Sequence, residues 1–168
     1  MKIKLADLTE KIAAQDYLQN LQTIKNAELT KTKLKTIAQG MVKEAQTAAA
    51  NGSLLQTQLT ITGRRPITFG LELDIVNLPY DDYKKIANFC KPDEDYEVAV
   101  YVTTSSYYVN ASKFRIDLLA EGQKLAADPD QVAEDLAAYL NKMIQTVKDF
   151  EPEPAKKSTK KTKRTAKK

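Results

Sequence analysis

Lys156, Lys157, Lys160, Lys161, Lys163, Arg164, Lys167 and Lys168 crowd the last part of the chain, spaced only by Ser, Thr and Ala after a Pro-Glu segment that begins at Glu151. Residues of this kind cannot bury a core, so the chemistry open to them is electrostatic. Each lysine that neutralises a phosphate releases a condensed counterion, which is how a flexible basic arm gains affinity for a polyanion. The competing reading is a solubilising tail. An anionic membrane is a poorer fit, because no aromatic or lipid-anchoring residue stands beside the lysines.

Two further groups could act with that arm. Arg64 and Arg65 lie in Gly63-Arg64-Arg65-Pro66, where a turn would hold two guanidinium groups in solvent and within reach of a phosphate; a solvated turn accounts for them equally well. The chain has eight tyrosines and no tryptophan, most of the tyrosines falling between Tyr80 and Tyr108. Stacked bases need flat rings on an exposed face with cations nearby, and Tyr101, Tyr107 and Tyr108 with Lys113 and Arg115 have that make-up. Core packing competes for the same rings, and Tyr96, in register with Val98 and Val100, is expected inside.

Other chemistries find little support. Histidine is absent and Cys90 is the single cysteine, which removes imidazole-based catalysis, the usual zinc ligand sets and any intramolecular disulfide. The carboxylates Asp81 and Asp82 suit a helix start, and Asp93, Glu94 and Asp95 fall in a Pro-containing loop with no ligand partner at useful spacing. No glycine-rich phosphate loop is present. The expectation is a protein that is not an enzyme and that uses no metal, no cofactor and no small-molecule substrate.

The charge balance needs dividing before it is interpreted. The whole chain of 168 residues carries +4 at pH 7; the tail has eight cations against two carboxylates, so the remaining 150 residues are left slightly acidic. The body is expected to form one domain of ordinary size. The start, MKIKLADLTEKI, lacks a signal-peptide core and no stretch has the length and apolarity of a membrane span, which together with the lone cysteine suggests a cytoplasmic protein without membrane attachment.

Periodicity divides the body further. Asp7–Leu29 has helical spacing, with Leu8, Ile12, Tyr17, Leu21 and Ile24 on one side. Leu34, Ile37, Met41, Ala45 and Ala48 predict a second helix, closed by Asn51-Gly52. The period then becomes two: Leu55 to Ile61 and Ile67 to Ile75 read as strands joined by the basic turn. Pro79 to Cys90 suggests a short helix. Tyr96 to Thr103 is a third strand, which Thr104-Ser105-Ser106 can turn back into one bulged or two short strands over Tyr107–Ala111 and Phe114–Leu119. Asp128-Pro129-Asp130-Gln131 opens a final helix striped by Val132, Leu136, Tyr139, Met143, Val147 and Phe150. The expected division is 1–52 helical, 53–122 a β-rich core, 123–150 a C-terminal amphipathic helix and 151–168 a disordered Lys-rich tail.

The β-β-α-β-β order, the basic turn and the run YEVAVYVTTSSYYVNASKFRI resemble the small single-stranded-DNA-binding proteins of Gram-positive phages and mobile elements, over about Leu55 to Leu119. The resemblance implies an α+β chain whose small antiparallel sheet or barrel is OB-like, flanked by N- and C-terminal helices, with a role in phage or mobile-element DNA replication or recombination. It implies single-stranded DNA or RNA as the partner, bound with little sequence preference. Two departures stand out: two clear strands precede the central helix where that fold has three, although Met1–Leu5 (MKIKL) or a bend within Ile67–Asn77 could supply another, and the tail is basic where such proteins commonly end in an acidic tip. The alternative is an interaction module whose amphipathic helices bind another protein, and either reading admits a homo-oligomer. An exposed sheet face of aromatics beside cations would favour DNA; a face of Gln, Thr and Glu would favour a protein partner.

Overall fold

Thr30 begins a long helix by accepting a hydrogen bond from the Lys33 amide at 3.3 Å, meeting one of the donors a helix start leaves unpaired. This helix, α1, spans Lys31–Ala50 and buries Leu34, Ala38, Met41, Val42, Ala45, Ala48 and Ala49, a stripe at steps of three and four. It ends where Gly52 adopts a φ of 64°, a conformation favouring glycine, with its amide donating to the Ala49 carbonyl at 3.1 Å. The computed structural model describes residues 1–7, 19–25, 30–52, 55–62, 67–75, 95–108 and 111–149.

Six strands are defined among them: β1 (Lys2–Lys4), β2 (Gln19–Lys25), β3 (Gln56–Thr62), β4 (Ile67–Ile75), β5 (Asp95–Tyr108) and β6 (Ala111–Glu121). They form one sheet in the order β1-β5-β4-β3-β2, with β6 also paired to β5. β1 lies opposite 95–97 and β6 opposite 99–108, so the two follow one another along the same edge of β5. All pairings are antiparallel except β2 with β3. Two helices follow β6: α2 (Gly122–Ala127) and α3 (Pro129–Asp149). Asp128 caps α3 by accepting from the Gln131 amide at 3.0 Å, as the Asp-Pro-Asp-Gln run predicts.

One face of the sheet carries Leu59, Ile61, Ile67, Phe69, Leu71, Leu73, Val98, Val100 and Val102, all buried in a single core with the apolar stripes of α1 and α3. On α3 that stripe includes Val132, Ala133, Leu136 and Leu140. A Lys35–Glu134 ion pair at 2.8 Å joins the two helices at their exposed side. The mixed α+β class, the β3–β4 hairpin and both long helices follow the periodicity.

Three expectations need correcting. The helical reading of Asp7–Leu29 fails at Gln19–Lys25, which is a strand: β3 offers a row of backbone donors and acceptors, and pairing with that edge overrides a local Leu21/Ile24 spacing that suits either conformation. Segment 1–52 therefore supplies two strands as well as α1. The chain does not turn at Thr104–Ser106; β5 continues to Tyr108 because Thr104, Ser105 and Ser106 are paired with strands on both sides. The sheet also does not close into a barrel: in its strand order β2 and β6 pair with single neighbours, β3 and β5, and not with each other. Residues 8–18 and 26–29 of the expected Asp7–Leu29 helix, the expected Gly63–Pro66 turn, the Pro79–Cys90 helix and the 151–168 tail lie outside the described residues.

Candidate interaction surface

The second face of the sheet carries no helix among the described elements, and its composition can be read across the strands by register. One row runs Gln56, Glu72, Tyr101, Leu118; the next Leu21, Gln58, Gly70, Thr103, Ile116; the third Thr23, Thr60, Thr68, Ser105, Phe114. The middle of this open face is thus Gln and Thr with Glu72, whose carboxylate accepts from the Gln56 amide at 3.0 Å. Its β6 margin is apolar: Phe114, Ile116 and Leu118 are 67%, 44% and 53% exposed. Three large apolar side chains, side by side on one strand and in solvent, are a feature of docking surfaces.

A bulge explains why they face outward. Val100 pairs with Ala120 while Tyr101 pairs with Leu118, so Leu119 is an extra residue in β6. Side chains alternate along a strand, and one inserted residue exchanges the faces on its two sides. Ala120 is buried on the helix side; across the bulge, Leu118, Ile116 and Phe114 fall on the open face and Arg115 and Asp117 on the helix side. The usual assignment of apolar inward and charged outward is inverted over Phe114–Leu118.

The charged pair is accommodated at the helix-side margin. The Arg115 guanidinium meets the Asp117 carboxylate at 2.5 Å, and Tyr139 of α3 donates its hydroxyl to the same carboxylate. The Tyr139 hydroxyl also lies 3.5 Å from that of Thr104, which is buried on β5. Burial opposes ionisation of Asp117, but the hydrogen bonds from Arg115 and Tyr139 outweigh it and hold the carboxyl below the ordinary carboxylate range. Burial, then the bond to Asp117, pushes Tyr139 up. The group pins α3 to the edge of the sheet and keeps two charges satisfied where the bulge has placed them.

The expected nucleic-acid residues are distributed differently from a single groove. Tyr101 is half-buried on the open face between Glu72 and Leu118, whereas Arg115 is on the opposite face and engaged with Asp117. Lys113, Tyr107 and Tyr108 are placed by register opposite Ser106, Ser112 and Ala111, at the far end of the β5–β6 hairpin. Arg64, Arg65 and the cations Lys156, Lys157, Lys160, Lys161, Lys163, Arg164, Lys167 and Lys168 lie outside the described residues. Phe114, Ile116 and Leu118 were the residues to find, and FRIDL does show their alternation; the bulge that sends them outward has no local signal.

Elsewhere, a groove of about 440 Å³ runs between α1 and α3, lined by Leu34, Ala137 and Ala138 with charged residues at its rim. Several of the polar groups on that rim engage one another: Lys35 with Glu134, and Asp135 with Lys124 and Gln131. Among the described residues no group of three or more acidic, Cys or His side chains is placed to hold a metal ion, and no helix is long and apolar enough to cross a membrane. Comparison of the chain with protein-family models, curated proteins and solved structures finds no match.

Proposed function

We propose that the protein is a non-enzymatic, cytoplasmic interaction module that docks a protein chain along β6, on the apolar margin of its open sheet face. The observation that carries this reading is the exposed strip Phe114, Ile116 and Leu118 on an edge strand. An edge strand presents backbone donors and acceptors, and alternate apolar side chains beside them supply the contact area that strand addition uses for specificity. The Gln and Thr rows next to the strip fit the polar rim of such an interface. The basic tail then serves solubility or localisation.

The second reading is an OB-like single-stranded-DNA-binding protein of a phage or mobile element. It is supported by the eight cations of the tail and by the partial exposure of Tyr101 on the open face. It is weakened by the separation of Arg115 from that ring.

The test compares three chains: the full protein, the protein ended at Phe150, and the full protein with Phe114→Ser, Ile116→Ser and Leu118→Ser. Each is used as bait in an extract and titrated with a fluorescent single-stranded oligonucleotide near ~50 mM salt. The expected result is a protein bound by the first two chains and lost with the triple variant, and no oligonucleotide binding once the tail is removed. Protein capture indifferent to the triple substitution would overturn the module, and oligonucleotide binding by the shortened chain would move the assignment to the second reading.

A further inference from the structure

β6 pairs with β5 along one edge only; among the described residues no strand pairs with its other edge. Resting on the interaction-module reading, we infer that the partner at this edge is a second copy of the chain, joined β6 to β6 in antiparallel fashion about a two-fold axis through Ile116.

The argument is one of register. A two-fold axis normal to the sheet keeps the open faces of both copies on the same side, so residues that meet across it have the same facing. The axis must therefore pass through a residue position, and each position sets a different charge pairing. Centred on Arg115 or on Asp117, that residue meets its own copy, like charge against like. Centred on Phe114, Arg115 meets Lys113. Centred on Leu118, Asp117 meets Leu119, where the bulge interrupts the strand.

Centred on Ile116, every pair is complementary. Arg115 of each copy meets Asp117 of the other on the helix side, extending the existing Arg115–Asp117 contact into a ring of four alternating charges. On the open face Ile116 meets Ile116, and Phe114 meets Leu118 twice. Directly opposed side chains in an antiparallel pair lie about 4.5–5.5 Å apart between Cβ atoms, close enough for all five pairs to touch. The segment that the bulge turned outward is the segment whose sequence, FRIDL, is complementary to itself when reversed.

The experiment uses sedimentation velocity on the full chain over a concentration series, with R115D, D117R, and an equimolar mixture of the two. The wild type is expected to dimerise. Each single variant carries two like charges on the strand and should dimerise at least about ten-fold more weakly, since favourable cross-strand pairs become repulsive ones. The mixture should recover a heterodimer, because an all-acidic strand then faces an all-basic one in the same register. The intrachain pair stays broken in both variants, so recovery reports contact between chains.

A monomeric wild type, a dimer indifferent to R115D, or a mixture that fails to recover would overturn the proposal. If D117R does not fold, a C90S chain carrying Ile116→Cys replaces it. Mild oxidation should link that chain into a covalent dimer, while C90S with Leu21→Cys, on the distant strand β2, should not link; failure of the Ile116→Cys link or equal linking at both positions is a negative result. A monomeric wild type whose triple strip variant still loses a captured protein would sink self-pairing alone, whereas capture unaffected by the strip would sink the module reading itself.

Discussion

β4 and β6 both flank β5, and both alternate apolar residues with others, yet their apolar rows end in opposite environments. On β4, Ile67, Phe69, Leu71 and Leu73 lie under the helices and are almost wholly buried; on β6, Phe114, Ile116 and Leu118 point the other way into solvent. The local pattern is the same, and one inserted residue, Leu119, separates the outcomes. Alternation fixes which residues share a face, while the register with a neighbouring strand decides which face is the core.

The largest expected effects therefore belong to the β4 side. Phe69→Ala removes a fully buried ring from beneath the helices and should cost about 3–5 kcal/mol in equilibrium denaturation, with Leu136→Ala on α3 at about 2–5 kcal/mol. A cost near zero for either would mean that the helix-covered face is not the core.

Gly122, where β6 passes into α2, comes next. A Cβ built there would lie 2.3 Å from the Val98 carbonyl oxygen and 2.8 Å from the Met1 nitrogen, both backbone atoms, so the backbone itself must shift. The Val98 amide donates to the Met1 carbonyl at 3.2 Å, so the same spot holds the start of the chain against β5. Gly122→Ala should cost about 1–3 kcal/mol and loosen β1, seen as faster amide exchange at Val98. Unchanged exchange at Val98 would contradict the close approach.

A smaller effect comes from acid. Hydrogen bonds from Lys124 and Gln131 hold Asp135 below the usual range, as those from Arg115 and Tyr139 hold Asp117. A carboxyl depressed in the folded state contributes stability that is fully present above its unfolded pKa and is lost as pH falls through the folded value. Stability should hold from neutral pH down to the ordinary carboxylate range and decline below it, and the decline should be shallower in Asp117→Asn, since one depressed carboxyl has been removed. Parallel pH profiles for the variant and the wild type would remove Asp117 from this account.

Much of the body was legible in the sequence. The helix cap at Asp128, the glycine stop at Gly52 and the strict alternation of β3 and β4 are local signals, and local signals survive into the structure. Gln19–Lys25 was misread because its strand conformation depends on the distant edge of β3, and the outward strip was missed because the bulge is defined only by pairing with Val100 and Tyr101. Arg115 and Tyr101 looked like neighbours in one groove, since both are near the β5–β6 hairpin. The parity that sets them on opposite faces is a property of two strands together.

The central claim is that inverted parity, and thiol labelling on either side of the bulge measures it most directly. In a C90S background, Leu118→Cys and Ala120→Cys are placed two residues apart and labelled in dilute, folded protein. Leu118 is exposed on the open face and Ala120 is buried on the helix side. The Leu118→Cys chain should react at nearly the unfolded rate, and the Ala120→Cys chain at least ~100-fold more slowly, because its labelling waits for local opening. Equal rates, or a protected Leu118→Cys beside a reactive Ala120→Cys, would contradict the outward strip and the docking surface built on it.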